Sequence, residues 1–176
     1  MIYLISPETI KATTNVSDNL DDKYMVSAIR EAQEIDLQGI VGECLLNYLK
    51  QLVNEDEIDN DENEVYKAIL DKAQYYLCYS VISKLCLLTN FKFNNFGVNT
   101  SSDEHLEGLS LTDTKRLEEY YIKKADYFAK LLQEFLLDNK NNIPQLTECQ
   151  CNKIKANLTS SASTNIWLGG YRGITL

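Results

Sequence analysis

Residues 62–89 read ENEVYKAILDKAQYYLCYSVISKLCLLT, and this stretch decides the fold. Val65, Ile69, Ala73, Tyr76, Ser80 and Leu87 recur at helical spacing along one side. Tyr66, Leu70, Leu77, Val81, Leu85 and Leu88 fill the adjacent side. A helix that is apolar over so much of its circumference belongs at the centre of a bundle. Leu77 and Leu85 are therefore expected in the core.

Working outward, Ser110 is placed to cap a second long helix, with Asp113 at the capping-box position. Leu117, Tyr121, Ala125, Phe128, Leu132 and Phe135 give that helix an apolar stripe to about Asn139, so Tyr121 and Phe128 are expected to be buried. Between the two helices, Phe91 to Gly108 breaks the helical period and reads as an extended loop or hairpin tip. Upstream, Ile2 to Ile5 reads as a short strand or extended arm. Ser6-Pro7-Glu8 then opens a short helix with a cap, a first-turn proline and a first-turn acid. Met25, Ala28, Ile29, Ala32 and Ile35 form the stripe of the next helix. Leu37, Val41, Cys44, Leu45, Tyr48, Leu49 and Leu52 continue it, with Gly39 and Gly42 marking a bend or break. The expected fold is mainly α. It is a helical bundle with two long antiparallel helices, a long central loop and a β-like C-terminal arm.

Composition narrows the function. The 176 residues carry a net charge of −9, which argues against a general nucleic-acid binder, because phosphate binding needs a basic surface. The first five residues, MIYLI, lack the basic start and the length of a secretory leader, and no apolar run approaches a membrane span. The five cysteines (Cys44, Cys78, Cys86, Cys149 and Cys151) read as buried free thiols. Cys149 and Cys151 are the one close pair, but a zinc site needs further ligands, and the sole histidine, His105, is distant in sequence.

The acidic stretch before the central helix fails as a calcium loop. Asp59, Asp61 and Asn63 occupy the first, third and fifth positions, but the required glycine is Glu64 and the closing glutamate is Leu70. An acidic start to a helix suits the helix dipole and explains the stretch without a metal. His105 has no nucleophile placed beside it by any motif and reads as an exposed loop residue. Gly169, Gly170 and Gly173 lack the context of a phosphate loop. No catalytic residue, cofactor site or metal site is assigned, and the chain is not expected to be an enzyme. Tyr75, Tyr76, Tyr79, Tyr120, Tyr121 and Tyr127 all fall on the two long helices, as packing residues or as a protein-facing surface.

The order of short motifs resembles a family of head–tail connector, or head-completion, proteins of tailed phages. The resemblance rests on Ile5-Ser6-Pro7-Glu8-Thr9-Ile10-Lys11, on Asn19-Leu20-Asp21-Asp22-Lys23-Tyr24 leading into Ala28-Ile29-Arg30-Glu31-Ala32-Gln33, and on Leu37-Gln38-Gly39-Ile40-Val41-Gly42 before Leu45-Leu46-Asn47-Tyr48-Leu49. Phe93-Asn94-Asn95-Phe96-Gly97-Val98 and the closing Asn142-Ile143-Pro144 extend it. It spans residues 1–146, taken as a helical connector domain, with residues 147–176 as a linker and arm. The Lys- and Asn-rich composition also fits phages of the crAss-like group.

The resemblance implies a neck adaptor: a ring of this chain, usually of twelve copies, beneath the portal protein, with other neck or tail proteins docked on it. Genomic DNA would pass through without specific binding, and no membrane or cofactor is involved. Such a protein resides in the virion at the head–tail junction, and in host cytoplasm during assembly. The protein-facing residues expected are Phe96 and Val98 in the central loop, and Ile166, Trp167, Leu168, Tyr171, Arg172 and Ile174 in the arm. The arm follows the Ser/Thr/Ala run 159–164 and is expected to pack on an adjacent subunit or on the portal. The alternative is a small helical regulatory or adaptor protein that binds one protein partner.

Overall fold

A computed structural model describes residues 2–94, 97–100 and 110–147. They are mainly helical. Helix α1 spans Pro7–Thr13, with Pro7 in its first turn and the Ser6 side chain accepting from the Thr9 amide. Helix α2, Asp22–Glu31, is capped by Asp21, whose side chain accepts from the Lys23 amide. Helices α3 (Gln38–Val41) and α4 (Glu43–Asn54) meet at Gly42. Its φ of 84° lies in the left-handed region open to glycine, and this is the break expected from the sequence. Helix α5 is Glu64–Asn90, preceded by a 3-10 turn at Asp61–Asn63. A two-stranded antiparallel hairpin follows: β1 (Phe91–Asn94) pairs with β2 (Gly97–Thr100) in the register Phe93 to Val98. Helix α6, Leu111–Asp138, starts on the Ser110 cap, where the Ser110 side chain accepts from the Asp113 amide. Short helix α7, Pro144–Thr147, ends the described chain.

Helix α5 is the axis of the core. Ile69, Ala73, Leu77, Val81 and Leu85 are buried along it, as the sequence requires of a central helix. They pack against Met25 and Ile29 of α2 and Leu45, Leu46 and Leu49 of α4, all in one cluster. Ile143 and Leu146, beyond α6, close the same cluster.

Three expectations fail. Ile35, placed on the apolar stripe of the second helix, is 65% exposed. The chain widens into a π-helical segment at Ala32–Leu37, so the 3.6-residue phase slips and Gln33 turns inward instead. On α6 the fully buried residues are Thr114, Ala125, Leu132 and Leu136, whereas Tyr121 and Phe128 are only half-buried and Leu117 is exposed. Helix α6 covers α5 along a narrow stripe and leaves its aromatic flank outward. Among the cysteines, Cys78 and Cys86 are free, but Cys44 is disulfide-bonded and departs from the free-thiol expectation.

Candidate interaction surface

The outward flank of α5 and α6 carries an aromatic belt. Phe128 of α6 stacks between Tyr75 and Tyr79 of α5, with centroids 5.6 and 5.3 Å apart and rings nearly parallel. Tyr127 meets the Phe128 ring edge-on at 5.4 Å. Lys124 lies over Tyr79 and Tyr120 at 5.2 and 4.6 Å. The hydrogen bond to Tyr120, followed by the electrostatic pull of the neighbouring tyrosines, raises the Lys124 pKa above its ordinary value. Lys72 caps the Phe135 ring at 5.0 Å.

Amphipathic side chains explain why this belt folds outward. Tyrosine has an apolar body that packs and a hydroxyl that keeps contact with water, so a tyrosine row tolerates a half-exposed flank. Tyr75 and Tyr127 are 52% and 59% exposed. Beside them lies a groove of about 330 Å³ lined by Ala68, Asp71, Lys72, Tyr75, Phe128 and Leu131. Its walls are mostly apolar, with one acid and one base at the rim. Among the described residues Asp71 makes no hydrogen bond or ion pair.

The opposite flank of α5 is closed and polar-satisfied. Gln33 is fully buried, accepting the Leu4 amide at 2.8 Å and donating to the Ile2 carbonyl at 3.0 Å. Gln74 donates to the Leu4 carbonyl at 2.9 Å. The extended N-terminal segment is thus held by two glutamine side chains in place of a sheet. Lys84 bridges Asp36 at 3.0 Å and Glu31 at 3.2 Å, and Asp36 accepts from Ser80 at 2.8 Å. Burial alone would lower the Lys84 pKa, but Asp36 and Glu31 hold it raised. Burial pushes the Cys78 thiol up to about 11, so it is protonated and unreactive at neutral pH.

Of the surface residues singled out from sequence, Val98 lies in β2 opposite Phe93. Phe96, His105, and the arm residues Ile166, Trp167, Leu168, Tyr171, Arg172 and Ile174 lie outside the described residues. The tyrosine-rich pattern pointed to the α5–α6 flank. The groove itself was not foreseen, because Ala68, Asp71 and Leu131 carry no motif. No group of three His, Cys, Asp or Glu side chains among the described residues could hold a metal. No described helix is long and apolar enough to cross a membrane.

No curated protein and no solved structure matches this chain. A sequence profile for a family of unknown function, DUF6712, matches residues 37–156, from the end of the π-helical segment through α7 and beyond. That match covers well over half of the 176 residues, and the chain therefore belongs to the DUF6712 family.

Proposed function

We propose that the chain is a structural virion protein that forms a ring adaptor between portal and tail. In that role it extends the DNA channel and docks the next neck or tail component. It performs no chemistry and needs no cofactor. The observation that carries the reading is the order of motifs along residues 1–146, which resembles head–tail connectors of tailed phages.

The long helices α5 and α6 supply a stiff body. Their contacts run in descending order, Lys72 to Phe135, Tyr75 to Phe128 and Lys124 to Tyr79, which supports an antiparallel pair. The net charge of −9 suits a channel wall that repels phosphate and lets DNA slide. The β-like C-terminal arm is the contact to a neighbour. A particle image of the purified full chain tests the reading. Closed rings with a central opening are expected, and single compact particles at every concentration contradict it.

A second reading is an adaptor that binds one helical or extended partner. The exposed groove beside Tyr75 and Phe128 favours it, because such grooves take apolar anchors from a partner segment. It predicts a chain that stays monomeric until the partner is added.

A further inference from the structure

We propose that the α5–α6 groove is the seat for the C-terminal segment 166–174 of a second copy of this chain, and that this contact links subunits head to tail. The inference deepens the ring reading and rests on it.

The groove is uncovered among the described residues. The groove exposes Tyr75, Leu131 and the Phe128 stack, with the Asp71 carboxylate at its rim making no ion pair among the described residues. The segment offers Trp167, Leu168 and Tyr171 as apolar anchors and Arg172 as a cation. Trp, Tyr and Arg dominate binding hot spots, because each fills a pocket and completes a polar contact at its edge. Arg172 opposite Asp71 matches charge to charge, and a guanidinium pairs with a carboxylate in two-pronged geometry.

Direction comes from helix α5. Tyr66 donates to Gln145 of α7 at 2.8 Å, so the described chain ends against the Tyr66 side of α5. About two and a half helical turns separate Tyr66 from Tyr75, which puts the groove on the opposite side of the helix. The chain thus leaves from one flank and the groove opens on the other. A segment of one copy seated in the groove of the next makes a heterologous contact, the kind that closes into a ring when its rotation allows. Residues 148–165 reach at most about 60 Å when extended, ample to cross to a neighbour.

The test mixes two full-length variants. Tyr75→Glu spoils the groove and keeps the segment, whereas Trp167→Glu spoils the segment and keeps the groove. Leu131→Glu serves as a second groove variant should Tyr75→Glu not fold, with circular dichroism as the check. Each variant alone should lose self-association on the order of thirtyfold. Mixed one to one, they should form a discrete pair of twice the 20.1 kDa subunit mass, because one good segment meets one good groove. A mixture that stays monomeric, as it would if each segment folded onto its own groove, overturns the proposal. Wild-type rings that survive in both single variants overturn it too, while leaving the ring reading intact. A wild-type chain that never self-associates overturns both.

Discussion

At the residue scale, Leu77 and Gln33 test the packing from two sides. Leu77 is fully buried on the central helix, and Leu77→Ala should cost about 2–5 kcal/mol, measured by chemical denaturation. Gln33→Leu keeps the volume but strips the partner from the buried Leu4 amide, so it should cost about 1–3 kcal/mol. Burial by itself would raise the Glu34 carboxyl, but the hydrogen bonds from Lys50 and Gln33 prevail and hold it below its ordinary value of 4.5. A lowered carboxyl stabilises the fold above its unfolded value, and that contribution is lost as pH falls through the lower folded value. Wild type should therefore melt above Glu34→Gln at about pH 7, and the gap should narrow at a pH acid to the lowered folded value. An unchanged gap at both pH values would remove the Glu34–Lys50 pair, 2.7 Å apart, from the account.

At the element scale, helix ends were legible, and helix phase was legible on α2 and α5 but slipped at Ile35 and on part of α6. Ser6, Ser110 and Gly42 act where their chemistry says they should, because caps and breaks depend on a few adjacent residues. Ile35 was misread because burial depends on phase and the π-helical segment shifts it, whereas on α6 Ala125 and Leu132 are buried as read and Leu117, Tyr121 and Phe128 sit further out than expected. The groove was illegible for a related reason: Asp71 and Leu131 come from two helices whose pairing no local pattern specifies. The end of α4 shows a smaller feature that the sequence hid. Asp56 sits at φ 58°, with Glu57 donating to the Leu52 carbonyl at 2.9 Å, the wrap of a Schellman cap. A left-handed position suits glycine best, so Asp56→Gly should stabilise the chain by about 0.5 kcal/mol in thermal unfolding. A loss of stability there would contradict the cap.

At the scale of the whole molecule, the central helix was legible because it is apolar on nearly every side, and such a helix has one place to go. In the proposed ring, the chain would act through surfaces that meet other copies, and one chain displays only half of each such contact. The aromatic belt on α5 and α6 is the half proposed for that contact. The most direct measurement is the native mass of the purified full-length protein over a wide range of concentration. The account predicts one closed species at a fixed integer multiple of 20.1 kDa, usually near twelve, with no open-ended series above it. A monomer or a simple dimer at every concentration contradicts it.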